Sequence, residues 1–260
     1  MKRLLPIFLL SAGALLLRAD DSCSANNFHS DGMTSYAQIR EQTLPAVAEN
    51  YINPGANGSI RVHGWAGGEV RVKACIQAAA QSEGEAQTLA SQVSIAEGPG
   101  MIRASGPSTH NHSWWSVSYE VWVPNAANVK MEANNGSIGV DGMRGQLRFH
   151  TQNGSVRLSD VGGDVDGTTT NGSVTVELAG SGWNGSGLHV ETTNGSVKVN
   201  LPESFSARLE VSTVNGKVQT DFPVTVSGEI QKNMSFVLGS GGPTIEARTV
   251  NGSVHISRRS

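Results

Sequence analysis

Three acidic residues crowd one short stretch of the chain: Asp160, Asp164 and Asp166, around Gly162-Gly163. Paired carboxylates at close range are what glycoside-cleaving enzymes use for acid and base work. The more widely spread acids Glu191, Glu210 and Glu246 stand at different offsets and alternate with Arg148, His189 and Arg248. The Asp cluster therefore reads as a hydrated turn. Calcium would suit such a turn, but the regular nonapeptide calcium repeat is absent. His110-Asn-His112 sets two imidazoles at i and i+2, on one side of an extended chain, without an evident third metal ligand. Trp114 and Trp115 follow it. These rings and Trp183 are candidates for stacking on sugars, with a cover over the end of the core as the alternative. No Gly-rich phosphate loop opens a helix after a strand. No Ser sits in a Gly-x-Ser-x-Gly elbow, since Gly180-Ser181-Gly182 lacks the first Gly. The sequence thus offers no catalytic residue, no metal site and no cofactor.

Two cysteines remain, Cys23 and Cys75. Cys75 lies in an alternating run with Arg71 and Lys73 on the same outward side. A disulfide between the two and a pair of free thiols are both open. Lipidation of Cys23 is disfavoured by Asp20, Asp21 and Ser22 before it. Residues 1–19 have the layout of a secretory signal peptide: Lys2 and Arg3, an apolar run from Leu4 to Leu17, and the small Ala19. An exported chain with no membrane span after cleavage is expected. A net charge of −3 gives no case for nucleic acid.

The elements that must carry these residues are written in a repeat. Asn-Gly pairs start at Asn57, Asn135, Asn153, Asn171, Asn194, Asn215 and Asn251, with one further pair at Asn184. From Asn135 on, the seven-membered series is spaced by 18, 18, 23, 21 and 36 residues. A period near 20 residues marks a repeat architecture. Three and five residues after each Asn the chain is apolar, as in Ile138 and Val140 or Val156 and Leu158. Six and four before it stand residues such as Val129 and Met131 or Leu147 and Phe149. Two before it there is usually Thr: Thr151, Thr169, Thr192, Thr213 and Thr249. Both arms alternate as half-buried strands do, but the parity changes across Asn-Gly. The chain must bend there, at residues that tolerate positive φ. Same-phase stacking of every copy predicts an all-β parallel β-helix or β-solenoid of about 20-residue coils. The Asn amides should form a ladder, and the Thr hydroxyls beside them should pair. The longest gap, 216–250, is either a coil without the motif or an inserted hairpin. The 31 Gly and the 16% content of charged residues fit such an all-β chain.

The expected division is a signal peptide at 1–19, a linker at 20–36, a β-rich N-terminal cap with the first coils at 37–128, and the solenoid proper at 129–260. Ser82, with Glu85 three residues on, predicts one short helix ending near Gln92. Strands are expected at 69–76, on both sides of Gly98-Pro99-Gly100, and at 116–123.

Several stretches together resemble a known group: Asn57-Gly-Ser-Ile-Arg-Val-His-Gly-Trp65, Glu69-Val-Arg-Val72, Val117-Ser-Tyr-Glu-Val-Trp-Val-Pro124 and the recurring Asn-Gly-Ser-Val. The chain is similar, over roughly residues 45–257, to the bacterial putative-adhesin family of β-strand-repeat domains of unknown function. The resemblance implies an exported, right-handed β-solenoid of the cell envelope and supplies no catalytic residues. The expected function is a non-enzymatic binding or structural module, monomeric, with an unidentified surface polymer or protein as partner. The competing readings are a carbohydrate-active β-helix lyase or hydrolase, and a periplasmic accessory or sensing domain.

Overall fold

The computed structural model describes residues 23, 32–109, 112–223 and 232–259. Two ten-stranded sheets face each other across one apolar core. Each coil gives one strand to each sheet, and the Asn-Gly corner joins the two. Gln146–Asn153, for example, lies in one sheet, and Val156–Ser159 lies in the other. The sheet that holds the strands after each corner is called the first, and the other the second.

Seven coils stack in parallel among the described residues, spanning about 30 Å at the usual strand spacing. Their order is not that of the sequence throughout. In the first sheet it runs Ile60–Trp65, Ile138–Asp141, Val156–Ser159, Val174–Glu177, Val197–Pro202, Val254–Arg259, Val218–Thr220. The last coil of the chain is thus inserted between the two that precede it, which corrects the expectation that successive coils are neighbours. Within the long gap, Asn233–Leu238 pairs antiparallel with Ala207–Asn215, as an edge strand of the second sheet and not as a coil.

The stack begins earlier than position 129. Glu49–Asn53 and Ile60–Trp65 form its first coil. Antiparallel strands Thr34–Pro45 and Glu69–Ala80, with Trp114–Pro124, extend the first sheet past this coil. Met101–Ser105 and Ser94–Gly98 extend the second. The linker is correspondingly shorter at its end, because Thr34 already starts a strand. Residues 1–22, where a signal peptide is expected, and residues 24–31 lie outside the described residues. The helix, Glu83–Gln92, starts with a capping box between Ser82 and Glu85. Arg40 donates from its guanidinium to the carbonyls of Val93 and Ala90 at the other end. Ala86 and Ala90 are the buried face.

The corners hold the stack together through four columns of atoms. The seven Asn side chains form one unbroken ladder. Asn135 donates to Asn57, Asn153 to Asn135, Asn171 to Asn153, Asn194 to Asn171, Asn251 to Asn194 and Asn215 to Asn251, all within 2.8–3.0 Å. Gly58, Gly136, Gly154, Gly172, Gly195 and Gly252 each donate from the backbone amide to the Asn carbonyl of an adjacent coil, as Gly154 does to Asn171 at 3.0 Å. Each buried Thr hydroxyl donates to a Gly carbonyl one coil away. Thr151 meets Gly136, Thr169 meets Gly154, Thr192 meets Gly172, Thr249 meets Gly195 and Thr213 meets Gly252. The hydroxyls do not pair with each other, as the sequence suggested, because the carbonyl is the nearer acceptor. Ser oxygens form the fourth column. Ser59, Ser173, Ser196 and Ser253 accept from the backbone amides of Ser137, Ser196, Ser253 and Lys217.

Glycine is required at these corners by crowding rather than by positive φ. None of the seven Asn has a positive φ, and among the seven corner glycines only Gly58 and Gly252 do. A β-carbon on Gly136, Gly154, Gly172 or Gly195 would overlap the carbonyl oxygen of the corner glycine below it. A similar fit occurs in the core, where Gly167 leaves the space that the Phe149 ring occupies.

Gly154→Ala should therefore be more destabilising than Asn171→Ala. The alanine forces two coils apart. The loss of Asn171 removes two exposed amide bonds worth on the order of 1 kcal/mol together, or about 2–4 °C in melting temperature. Asn215→Ala, at the end of the ladder with a single partner, should cost less than Asn171→Ala. Thermal unfolding of the three variants checks this order.

Candidate functional site

Alternation buries the third and fifth residues after each corner Asn and turns the second, fourth and sixth outward. Parallel register converts these positions into rows that cross the first sheet. In the middle row, Lys73 is opposite Glu120, Glu120 opposite Arg61, and Arg61 opposite Gly139. The row continues through Arg157, Thr175, Lys198 and His255. Lys73, Arg61, Arg157 and Lys198 are each two strands apart, which sets the cations roughly 10 Å from one another. One residue of low bulk or opposite charge separates each pair.

The part of this row from Lys73 to Thr175 lines an open groove of about 470 Å³ beside the Cys23–Cys75 disulfide, and Lys198 and His255 lie beyond it. Cys75 projects outward from Glu69–Ala80 and holds Cys23 against the outer face, with a Cα–Cα distance of 5.6 Å. Gly139 keeps the floor low: a β-carbon there would meet only the Arg61 side chain, at 3.8 Å. Arg61 is exposed and has no acidic partner among the described residues. Arg157 contacts Glu177 at 2.8 Å, and Lys73 lies 3.8 Å from Glu120.

The two neighbouring rows differ in kind. On the corner side run Ser59, Ser137, Ser155, Ser173, Ser196 and Ser253. Where such an oxygen accepts from a backbone amide, its own proton remains available to a partner outside. On the far side, His63 sits 2.6 Å from Asp141 and 3.2 Å from Glu120, stacked on Trp122 with ring centroids 5.2 Å apart. Asp141 and Glu177 make that row acidic. Arg71 lies over the Trp65 ring at 4.2 Å.

Several charges on the outer face of the second sheet are paired too. Arg148 pairs with Asp164 at 2.7 Å and reaches Asp166 at 4.0 Å. Asp166 also meets His189 at 2.9 Å. Lys130 pairs with Glu132 at 2.8 Å, and Arg248 pairs with Glu246. The Arg148 guanidinium and the Gln146 amide hold the Asp164 carboxyl below its usual range. The Lys130 ammonium and the Tyr51 hydroxyl do the same for Glu132. Burial, and then the bond to Glu132, push the Tyr51 phenol up.

The seven corner Asn residues are brought together in one ladder. The three Asp residues are not brought into a shared carboxylate site. Asp160 is held by Arg144, Asp164 by Arg148 and Gln146, and Asp166 by His189. Trp183 is corrected from a surface ring to a core residue. It is 8% exposed and donates to the Gly163 carbonyl at 3.1 Å. Trp115 covers the edge of the core, with Gly106 against its ring and its indole N–H on Pro107. Trp114, the adjacent strand residue, is half-buried. Neither ring stands out as a free platform. His110 lies outside the described residues. Among the described residues no group of three or more potential ligands is placed to hold a metal. No described helix is long and apolar enough to cross a membrane.

The cation row was present in the sequence as the fourth position after each Asn, as Arg61, Arg157 and Lys198. It gains meaning only when the coils are stacked. Lys73 had no such signal, because it joins the row from an antiparallel strand outside the repeat.

The parallel stack, the two-sheet coil and the Asn corners define a β-solenoid. The chain belongs to the Toastrack DUF4097 family, whose model matches residues 25–257. A crystal structure of a "putative cell adhesion protein" from Clostridium sporogenes shares the fold, with a TM-score of 0.50 and 13% identity, covering 86% of this chain and all of that one. A "putative adhesin" from Bacteroides fragilis matches at 13% identity over 85% of this chain and 97% of that one, with a TM-score of 0.33. A comparison with curated proteins finds no match.

Asp164 and Glu132 have depressed pKa values in the fold, so their contribution to stability is present above the ordinary carboxylate range. It is lost as pH falls through the folded values. Stability should therefore decline as pH drops below about 4, and Arg148→Gln should flatten part of that decline. Urea unfolding at a series of pH values checks it. An unchanged slope in the variant would count against the pairing.

Proposed function

We propose that the protein is an exported, non-enzymatic binding module of the bacterial cell envelope. Its first-sheet face holds an extended polymer by repeated weak contacts along the solenoid axis. The observation that carries this reading is the difference between the two outer faces. On the second sheet Arg148 pairs with Asp164 and Asp166 with His189 across coils, and Lys130 pairs with Glu132 within one strand. The first sheet carries an open groove lined by Lys73, Arg61, Gly139 and Arg157, and Arg61 has no acidic partner among the described residues. A parallel stack repeats one contact at a fixed interval, and linked contacts multiply affinity without strong individual sites. Export is supported by the apolar leader pattern and by a disulfide, which persists in oxidising compartments. The absence of a shared carboxylate site at Asp160, Asp164 and Asp166 favours binding over cleavage, as does their pairing to cations. The name of the Clostridium sporogenes protein of the same fold points the same way.

A glycan array run with the purified protein should give bound polymers, while a parallel hydrolase and lyase screen on the same polymers should give no turnover. Turnover that disappears in Asp164→Asn or Asp166→Asn would overturn the non-enzymatic reading. A silent array and failure to bind envelope polymers would overturn the binding reading.

A further inference from the structure

We propose that Asn184 is a site of spontaneous covalent modification, at which the side-chain amide is lost and aspartate or isoaspartate is left behind. The inference is independent of the binding reading. It rests on how the eight Asn-Gly pairs of the chain divide in the fold.

The chemistry sets the conditions. The backbone nitrogen of the glycine gives up its proton and bonds to Cγ of the asparagine, and Nδ2 leaves as ammonia. The cyclic succinimide then takes up water. Opening at one carbonyl gives aspartate. Opening at the other gives isoaspartate, in which the main chain runs through the side-chain carbon. The net change is one water consumed and one ammonia released, with no oxidant and no cofactor. Glycine favours the closure because it has no β-carbon to crowd the ring. The reaction needs a side chain free to swing back on its own backbone, and a glycine N–H not already committed.

Six of the eight pairs fail both conditions. At Asn57, Asn135, Asn153, Asn171, Asn194 and Asn251 the side-chain amide is held in the ladder. The glycine after each of them donates its amide to the Asn carbonyl of an adjacent coil. Asn215 is half held. It ends the ladder with Asn251 as its one ladder partner, and no parallel coil lies beyond it to receive the Gly216 amide. Asn184 meets both conditions. The ladder passes from Asn171 to Asn194 without it. Asn184, Gly185 and Ser186 are all exposed. Gly163 donates to the Asn184 carbonyl at 2.7 Å. The Gly185 N–H belongs to the same trans peptide and points the opposite way. On that side, pairing with the neighbouring strand begins only at Gly187, opposite Thr244.

The site also tolerates its product. Trp183 anchors the chain just before it, buried and bonded to the Gly163 carbonyl. Just after it the pairing shifts from Gly163–Gly185 to Asp164–Gly187, so this strand already carries one residue more than its neighbour. Isoaspartate adds one carbon to the main chain, and the bulge has slack to absorb it. At a ladder corner the same carbon would displace the stacked columns.

The test is prolonged warm incubation of the whole chain at mildly alkaline pH. Tandem mass spectrometry assigns the converted positions, and an isoaspartate-specific methyltransferase gives a second readout. The same chain unfolded in guanidinium chloride is the reference, where all eight pairs should react at comparable rates. In the folded protein Asn184 should react first and Asn215 second. Each of the six inner corners should be slower than Asn184 by about tenfold or more, since their hydrogen bonds must open first. Asn184→Gln, whose ring closure is much slower, should remove the main acidic species on isoelectric focusing and leave the melting temperature unchanged. The converted fraction should melt with the unmodified protein. Four outcomes would overturn the proposal: a folded-state rate at Asn184 no greater than at the inner corners, an inner corner that reacts first, acidic species that persist in Asn184→Gln, or a lower melting temperature in that variant or in the converted fraction.

Discussion

The structure depends on one close approach. At six of the seven corners a glycine α-carbon lies so near the carbonyl of a neighbouring corner glycine that no β-carbon fits between them, and at Gly58 the Val117 carbonyl takes that place. That contact fixes the coils in one register, because sliding a strand by a residue would put a side chain into the gap. The Asn ladder, the Thr-to-carbonyl bonds and the Ser column all presuppose it. Each donor finds its acceptor only if the neighbouring coil presents the same atom at the same height. The seven amides are exposed, so their individual worth is modest. Their role is to saturate a corner whose polar groups would otherwise compete for other partners.

The corner also explains an exception in the repeat. Every copy in the ladder has Ser after Asn-Gly except the one at Asn215, which has Lys217. That coil is the last in the stack. Its Lys217 amide still uses the Ser253 oxygen, but no parallel coil follows that needs an oxygen in return. The sequence shows the exception and gives no reason for it. The reason lies in the coil order, which a repeat pattern cannot reveal, since every copy is compatible with every other. The same limit hid Thr34–Pro45, an edge strand with little alternation in burial and half-exposed positions on both sides. Strands inside the stack, with one face buried by two neighbours, were legible residue by residue. Trp183 was misread because its flanking Asn184-Gly185 looks like another corner, while its ring in fact turns inward.

Stacking has an electrostatic consequence for the two faces. Any residue at a given position is repeated at the strand spacing, so like charges would build a column of repulsion. In the second sheet Asp166 stands between Arg148 and His189 and contacts both, while the like-charged neighbours Lys130 and Arg148, and Glu246 and Glu210, are relieved by pairs such as Lys130 with Glu132 and Glu246 with Arg248. The first sheet avoids it by spacing. Gly139 and Thr175 separate the cations, and Glu120 separates Lys73 from Arg61. Arg157 is also paired with Glu177 and Lys73 lies 3.8 Å from Glu120, so both faces compensate part of their charge within the molecule.

The ends of such a stack expose unpaired strand edges, which invite association with other chains. Here one end is closed by antiparallel strands, with the capped helix packed beside them. At the other end, the antiparallel Asn233–Leu238 borders the second sheet, and the first sheet finishes on the three-residue Val218–Thr220. Inserting the C-terminal coil inside this end has a further effect. Coil 207–220 has no direct ladder to coil 185–202; residues 244–259 lie between them in both sheets. The outermost coil and its antiparallel edge strand therefore gain their place only when residues 244–259 are in position. A simple solenoid is a sum of neighbouring repeats and can fray from its end. In this chain the terminal coil is clamped on both sides by earlier sequence, which couples the end of the stack to its middle and makes the final segment part of the core.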